Sequence, residues 1–431
     1  MSDGPLLNDV TRAFAETHRN EDVRDLALKT KRTADLDLPA ALDQIAGWQI
    51  ARNKLPQWAA CADIVYPAHI SMEQCSSQFT AQYKAEIARR LLRSLPQSAG
   101  QTANDATMTD LTGGFGVDFS YLAREFGHAT YVERQPHLCE LAAHNMAALG
   151  LTQAQVVCGD GVEYLRAMEP AQLIYIDPAR RDEHGARTYA IEDCTPDVLA
   201  LRDLLLAKAR YVMIKLSPML DWRKAVDDFA GTVAEVHIVS TGNECKELLL
   251  VLGRPAQVDA RDGVDGAGSH RRPAAHAHMG QMDIRARQTS NDKTPLARTR
   301  VEQMNGGMDL ADTVGSFDGE SKAERIVAAS HDGRYAAPHV FCVNDDQRID
   351  YDSAAYTQGL RIGGKPLPEA KNYLYEPNAS IMKAGCFDLV EERFGVTQIG
   401  PSSHLFVSEQ QIADFPGRGF AIEAVGSMNK K

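Results

Sequence analysis

The sequence predicts an α/β fold in which a mostly parallel sheet is covered by helices on both faces. Short apolar segments alternate with helix-like segments from residue 107 to residue 252, which is the pattern of strands joined by helical crossovers. In addition, acidic or glycine-rich motifs directly follow several of these apolar segments. Such motifs would gather at the carboxyl ends of the strands, where open α/β sheets bind their ligands.

The first strand is predicted over residues 107–109 and leads into the sequence DLTGGFG at 110–116. A helix-like segment, 117–126, follows and ends at Gly127, a residue suited to a left-handed cap. Strand, glycine turn and helix are the context of a nucleotide-binding turn, because glycines let the backbone pass close to a ligand. Taken alone, the motif also fits a plain strand-to-helix turn.

The next two predicted strands each end near a carboxylate. Residues 129–132 lead to Glu133, and an acid at this position can accept hydrogen bonds from ribose hydroxyls. A helix is predicted over 136–149, and a third strand over 155–158. Asp160 follows that strand between two glycines, where its carboxylate can accept a hydrogen bond from an adenine amine.

The fourth predicted strand, 173–176, is apolar throughout and runs into the sequence DPARR at 177–181. A fifth strand is predicted over 211–216. Residues 234–240 and 246–252 flank a Thr-Gly-Asn turn at 241–243, which predicts a hairpin.

Residues 107–252 resemble a class I methyltransferase that uses S-adenosylmethionine. In that family an acid followed by glycines forms the first motif, and the last strand of the sheet is antiparallel, as the predicted hairpin would provide. The resemblance therefore implies a Rossmann-like class I methyltransferase sheet. Thr112 departs from the family, in which many members have a glycine there; glycines four and six residues after the acid are similar to several RNA methyltransferases. The nearest rival, an NAD-binding Rossmann domain, spaces its glycines as G-x-G-x-x-G, and this chain does not.

The resemblance also implies cofactor-binding residues. Gly114 and Gly116 would lie against the methionine part of S-adenosylmethionine, Glu133 against its ribose, and Asp160 near its adenine. Asp110 would hold the glycine turn or reach the methionine amine.

Four further segments of the chain recur together in one bacterial family, and they are CSSQFTA at 75–81, DPARR at 177–181, NECKE at 243–247, and YLYEPNA with MKAG between 373 and 385. That family pairs a methyltransferase domain with a C-terminal domain similar to THUMP, an RNA-binding module. The resemblance covers residues 40–253 and 325–422. The CSSQFTA segment could border the cofactor or be a simple loop between helices.

Four regions are therefore predicted: an N-terminal helical region, 1–95; the methyltransferase domain, 96–253; a low-complexity insertion or linker, 254–325; and a small THUMP-like α+β domain, 326–431. The insertion has almost no large apolar residues, so it cannot bury enough surface to offset its ordering entropy.

The last region is predicted to open with a hairpin across Asp332-Gly333 and to continue with a strand at 373–376, two helices and a strand near Phe406. Its Phe-Pro-Gly-Arg segment, 415–418, comes thirteen residues before the end of the chain. Members of the family continue further at this point, so we expect the domain to be shortened.

The motif after the fourth strand bears on the substrate. Enzymes that methylate exocyclic amines usually carry an acid followed by Pro-Pro and an aromatic ring that stacks on a flipped base. Here Asp177 and Pro178 are kept, but the ring is replaced by Arg180. We expect Asp177 to accept a proton or hydrogen bond from the nucleophile, and Arg180, together with Lys215, to position the substrate.

The Asp-Pro-Ala-Arg sequence also resembles RNA methyltransferases that modify C5 of uracil. Those enzymes need a cysteine nucleophile just after the fifth strand, where this chain has Ser217 and Pro218. Cys194 is the nearest thiol and is more often a buried apolar residue than a nucleophile. Covalent C5 chemistry is therefore not expected.

Composition narrows the class of protein. The chain has 431 residues, 44% of them hydrophobic and 24% charged, which is ordinary for a globular protein. It contains no apolar run near the roughly 20 residues of a membrane span, and no secretory signal is visible at the N-terminus. Eight scattered cysteines without a CxxC pair favour a reducing cytoplasm and no metal site. The net charge of −12 argues against a large, non-specific RNA footprint but allows a local basic groove.

The sequence thus predicts a cytoplasmic S-adenosylmethionine-dependent methyltransferase that acts on RNA. One alternative is a protein or small-molecule methyltransferase on the same fold. Another is a non-catalytic RNA-binding protein that keeps the fold without turnover.

Overall fold

The structure is a computed structural model that describes residues 6–31, 33–67, 69–95, 105–180, 191–253, 337–356, 371–400 and 403–424. The predicted insertion at 254–325, the predicted turn at Asp332-Gly333, and Arg181 lie outside these residues, and Arg180 is described by its backbone alone.

A large sheet forms the centre of the described chain. Its nine described strands are β1 (Thr107–Asp110), β2 (His128–Glu133), β3 (Ala154–Cys158), β4 (Ala171–Ile176), β7 (Ala209–Leu216), β8 (Val233–Thr241), β9 (Glu244–Gly253), β10 (His339–Asn344) and β11 (Gln347–Asp352). They lie side by side in the order β11-β10-β8-β9-β7-β4-β1-β2-β3. A short ladder of β5 (Ala179–Arg180) and β6 (Cys194–Thr195) lies apart from this sheet.

The pairing confirms the predicted Rossmann-like class I methyltransferase sheet. Strands β1, β2, β3, β4 and β7 are parallel to their neighbours in this group, and β9 is antiparallel to both β7 and β8. The strand order reverses beside β1, which places the carboxyl ends of β1 and β4 at the point where such sheets bind ligands.

Both faces of this sheet are buried. Along β9, Leu248 and Leu250 join one apolar core, while Leu249 and Val251 join the other. This alternation follows from the two-residue period of a strand, and it explains why residues 248–252 of β9 are all apolar instead of alternating with polar residues.

The helices of this part of the chain belong to the N-terminal region and to the sheet crossovers. Their bounds are α1 (Asp9–His18), α2 (Val23–Lys29), α3 (Leu38–Lys54), α4 (Pro56–Ala60), α5 (His69–Gln74), α6 (Gln78–Arg93), α7 (Val117–Leu122), α8 (Pro136–Ala148), α9 (Gly161–Ala167), α10 (Arg202–Lys208) and α11 (Trp222–Asp228). The predicted helix over 117–126 is shorter than expected, because α7 changes to a 3-10 turn over Ala123–Glu125. Trp58 is fully buried against Phe115, as expected for a core residue.

Although the predicted turn at Asp332-Gly333 lies outside the described residues, a hairpin follows the insertion among them. Its strands β10 and β11 turn at Asp345, whose φ is +53°. Strand β10 pairs in parallel with β8, so this hairpin extends the large sheet rather than the small C-terminal one.

The C-terminal region forms a separate four-stranded antiparallel sheet among the described residues, in the order β13-β14-β12-β15. Its elements are β12 (Tyr373–Pro377), α12 (Ala379–Ala384), α13 (Phe387–Phe394), β13 (Thr397–Gln398), β14 (Phe406–Ser408) and β15 (Gly417–Ala421). The Asn378 side chain caps α12, and both helices end at left-handed glycines. This agrees with the small α+β unit expected from the sequence. No helix in the described ranges is both long and apolar enough to cross a membrane.

Candidate functional site

A cavity of about 1150 Å³ opens at the carboxyl ends of β1, β2, β3, β4 and β7. The sequence-predicted residues line it together, namely Asp110, Gly114, Gly116, Glu133, Asp160, Asp177 and Pro178. Its volume exceeds the range of about 300–1,000 Å³ typical of small-molecule sites, so the cavity can hold a nucleotide-sized ligand and part of a second molecule.

The glycine turn is shaped by close packing and by backbone conformation. A Cβ atom on Gly113 would lie 2.2 Å from the ring of Tyr131, so only glycine fits there. Gly116 has a φ of +86° and is the N-cap residue of α7. The turn therefore brings bare backbone to the cavity wall, as a nucleotide-binding turn requires.

Glu133 holds this turn from the neighbouring strand. One oxygen of its carboxylate accepts a hydrogen bond from the Gly114 amide at 3.0 Å, and the other accepts one from the Gln135 amide at 2.9 Å. Each carboxylate oxygen can accept more than one hydrogen bond. The side chain can therefore hold the turn and still receive ribose hydroxyls.

Asp160 also has a local structural role. Its Oδ1 accepts hydrogen bonds from the amides of Val162 and Glu163 at 2.9 and 3.0 Å, and so caps α9. The following residue, Gly161, lies so close to the carbonyl oxygen of Leu111 that a Cβ atom would stand 2.2 Å from it. The acid remains exposed at the cavity.

Asp110 is buried beneath the glycine turn. Its Oδ1 accepts hydrogen bonds from the amide and the hydroxyl of Thr112, at 2.9 and 3.3 Å. Burial raises the pKa of Asp110 to about 8 against the opposing effect of these hydrogen bonds. The carboxyl group is therefore largely protonated at neutral pH.

Asp177 and Lys215 form the polar part of the cavity at the ends of β4 and β7. The Lys215 ammonium donates to Asp177 Oδ2 at 2.6 Å. The Asp177 side chain is 40% exposed, whereas that of Lys215 is 16% exposed. Burial alone would lower the pKa of Lys215, but the carboxylates around it, first of all Asp177, raise it. Lys215 therefore stays charged.

Behind this pair lies a group of buried charges that the sequence did not reveal as a unit. Asp118, on α7, is 3.6 Å from the Lys215 ammonium and 3.1 Å from that of Lys84 on α6. Lys84 also contacts Glu247 of β9 at 2.7 Å. Burial would raise the pKa of Asp118, but the two ammonium groups and two hydroxyl donors lower it below its usual range. Glu247 lies in the NECKE segment noted from the sequence, whereas nothing in the sequence distinguished Lys84 from the other charged residues of α6.

The CSSQFTA segment does border the cavity. Cys75 and Ser76 line it, and the Ser76 hydroxyl donates to Asp118 Oδ2 at 2.8 Å. Tyr175 of β4 donates to the same oxygen at 2.8 Å. The Asp118 carboxylate of α7 is thus bound to both the N-terminal region and the fourth strand.

The remaining predicted residues, Pro178 and Arg180, follow the fourth strand. Pro178 lines the cavity, and the backbone of Arg180 pairs with that of Cys194 in the β5–β6 ladder. Cys194 lines the cavity but is 5% exposed, in agreement with its expected burial. The functional roles assigned to these residues from the sequence stay predictions. In the described ranges, no group of three or more His, Cys, Asp or Glu side chains is arranged to hold a metal ion.

Comparison with known proteins supports this description of the fold. Residues 373–416 match the family model of a ferredoxin-like domain. Among solved structures, a protein of Porphyromonas gingivalis W83 assigned as a methyltransferase aligns with a TM-score of 0.64 and 25% identity, over 97% of this chain and 84% of that one. No curated protein matches the sequence.

Two smaller solved structures align with the chain at lower similarity. An rRNA methylase from Streptococcus thermophilus is 13% identical with a TM-score of 0.29, over 40% of this chain and 93% of its own. An O-methyltransferase from Bacillus cereus in complex with SAH is 11% identical with a TM-score of 0.33, over 56% of this chain and all of its own. At these TM-scores neither protein bears on the substrate of this chain.

Proposed function

We propose that this chain transfers the methyl group of S-adenosylmethionine to RNA. The enzyme class rests on the likeness to the Porphyromonas gingivalis protein over nearly the whole chain: the chain is an S-adenosylmethionine-dependent methyltransferase. RNA as the substrate is our own step beyond that class. The observation that carries the proposal is the half-exposed Asp177 carboxylate beside the glycine turn of one cavity.

The cavity fits the cofactor. Gly113 lets the turn pack closely on the Tyr131 ring, and the left-handed Gly114 and Gly116 present bare backbone to the cavity. Gly114 and Gly116 would contact the methionine part, Glu133 the ribose, and Asp160 the adenine. Bound S-adenosylmethionine supplies a methyl group on an already activated sulfonium, so the enzyme mainly has to align a nucleophile.

Asp177 is suited to hold that nucleophile. Its backbone is fixed by a hydrogen bond from its amide to Thr112 Oγ1, and Lys215 holds one of its carboxylate oxygens. We propose that the carboxylate orients the acceptor group through a hydrogen bond and takes its proton as transfer proceeds. No step of this kind requires a cysteine nucleophile.

Three features support RNA as the substrate. First, the spacing of the glycines after Asp110 resembles that of RNA methyltransferases. Second, the DPARR segment contains Arg180, whose guanidinium can bind a phosphate or stack on a base. The ferredoxin-like domain at 373–416 supplies a second unit on the same chain. We further propose that this unit is THUMP-like and that the protein acts in the cytoplasm.

The test is to label RNA from a strain lacking this protein with tritiated S-adenosylmethionine and purified enzyme. We expect label in RNA, a single methylated nucleoside by mass spectrometry, and loss of label with Asp177→Ala. Label in protein or small molecules but not in RNA would replace the proposed substrate. Failure of the wild type to bind the cofactor in calorimetry would favour a non-catalytic protein.

A further inference from the structure

Lys84 is a buried lysine with no direct access to the cavity. Its side chain is fully buried, and its ammonium lies 3.1 Å from Asp118 Oδ1 and 2.7 Å from Glu247. It also donates to the Ser76 hydroxyl and to the Thr80 carbonyl at 3.3 Å. Lysine is almost never fully buried unless it is paired. The carboxylates of Asp118 and Glu247 therefore stabilise the buried charge of Lys84.

Asp118 competes with Asp177 for a second lysine. The Lys215 ammonium lies between them, 2.6 Å from Asp177 and 3.6 Å from Asp118. Asp118 is the more buried of the two carboxylates, with 10% of its side chain exposed against 40% for Asp177. An unpaired charge costs more free energy in the interior than near solvent, so Asp118 would attract Lys215 away from Asp177 if it had no other cation.

We propose that Lys84 is a positioning residue for methyl transfer: by neutralising Asp118 it leaves Lys215 on Asp177 and so fixes the Asp177 carboxylate at the cavity. This inference rests on the proposed function, because it assigns Lys84 an effect on the acceptor side of that same site. Lys84 acts through Asp118 and Lys215 and touches neither cofactor nor substrate. Its loss should therefore appear in kcat and leave the affinity for S-adenosylmethionine nearly unchanged.

Two charge-matched variants separate this role from a general need for the buried lysine. Lys84→Met/Glu247→Gln and Lys84→Met/Asp118→Asn each remove one positive and one negative charge. The first keeps the competing Asp118, so Lys215 should move toward it and kcat should fall about tenfold or more. The second removes the competing charge and should recover most of that loss. Burial raises the pKa of Glu247, so Glu247 can take up a proton when Lys84 is absent.

The measurements are single-turnover methyl transfer to the labelled RNA, calorimetric affinity for S-adenosylmethionine, and thermal melting of each variant. The inference is supported if the Asp118 variant is clearly faster than the Glu247 variant at similar cofactor affinity. The opposite order, or equal rates, would overturn it. If Lys84→Met/Glu247→Gln does not fold, Lys84→Gln/Glu247→Gln replaces it, because two amides can hydrogen-bond to each other; the same fall in kcat is expected.

A crystal structure of the Glu247 double variant provides a readout that needs no substrate. We expect the Lys215 ammonium to lie closer to Asp118 than to Asp177, the reverse of the wild-type arrangement. An unmoved Lys215 would overturn the inference even if the enzyme proves active on RNA. A moved Lys215 in an enzyme that methylates no RNA would overturn only the proposed function.

Discussion

The hydroxyl of Thr112 accepts a hydrogen bond from the backbone amide of Asp177, with 2.7 Å between nitrogen and oxygen. The same hydroxyl is 3.3 Å from Asp110 Oδ1, to which it can donate. Thr112 therefore links the acid of the glycine turn to the acid at the end of the fourth strand. A glycine at this position, as many class I methyltransferases have, could not make either contact.

Asp177→Ala should separate catalysis from cofactor binding. We expect affinity for S-adenosylmethionine to stay within a few-fold and turnover to fall at least ~10²-fold, the usual scale for a lost acid–base group. Calorimetry and labelled-methyl transfer measure the two effects. Asp203→Ala, on the exposed surface of α10, is the control for loss of an acid outside the cavity. Full activity of Asp177→Ala would remove this residue from the mechanism.

Glu133→Ala should weaken the binding of S-adenosylmethionine by roughly 1.5–3 kcal/mol, because hydrogen bonds to a charged carboxylate would be lost. The Gly114 and Gln135 amides would lose their acceptors at the same time. Glu133→Gln keeps one acceptor oxygen and should lose less. Unchanged affinity of the alanine variant in calorimetry would contradict the assignment of Glu133 to the ribose.

Asp110→Asn should change the pH dependence of stability. The pKa of Asp110 is raised to about 8 in the folded protein, so the folded state binds this proton more tightly than the unfolded chain. The contribution of the Asp110 carboxyl to the free energy of unfolding therefore falls as the pH rises from about 4 to about 8, by at most about 1.4 kcal/mol per pH unit. Asparagine has no such proton, so the variant's denaturation free energy should fall less with rising pH across this window. Parallel pH profiles of the two proteins would contradict the raised pKa.

Gly161→Ala should destabilise the start of α9, because its Cβ would lie 2.2 Å from the backbone oxygen of Leu111. We expect a loss of about 1–3 kcal/mol in unfolding free energy, the scale of an overpacked site, and weaker cofactor binding. Gly159→Ala is the matched control, because its Cβ would meet no atom within 4 Å. Equal melting temperatures for the two variants would show that Leu111 can move aside.

Arg180→Ala should act on the RNA rather than on the cofactor. If the guanidinium contacts a phosphate, KM for RNA should rise with little change in kcat, and the slope of binding against salt concentration should become smaller by about one. Filter binding at several salt concentrations measures that slope. A fall in kcat alone would place Arg180 with the reacting groups instead.

The strands could be predicted from the sequence because their pattern is local. Residues 173–176 and 211–214 are apolar or aromatic, and Asp177 and Lys215 come directly after them. Because the carboxyl ends of parallel strands meet at one edge of the sheet, these two residues are expected to lie together there. Asp177 and Lys215 could be named for the same reason. The helix after the glycine turn was predicted too long, since propensity alone does not show where an α-helix tightens into a 3-10 turn.

The buried charges could not be predicted because they meet only in the folded chain. Lys84 and Glu247 are 163 residues apart, and their contact depends on the packing of α6 against the sheet. Nor does a sequence show which of two neighbouring carboxylates a lysine will form an ion pair with. The parallel pairing of β10 with β8 could not be predicted for a similar reason, because β8 lies about a hundred residues earlier in the chain.

The pairing of β10 with β8 has a practical consequence for any shortened form of this protein. A fragment that ends at Gly253 would lack β10, which pairs with β8 over the six positions from Glu235 to Ser240. That would expose a row of unpaired amides and carbonyls on a strand whose Val236 and Ile238 are fully buried. Bare edges of this kind recruit strands from other molecules. We expect such a fragment to aggregate, whereas an end point beyond Asp352 keeps the edge covered.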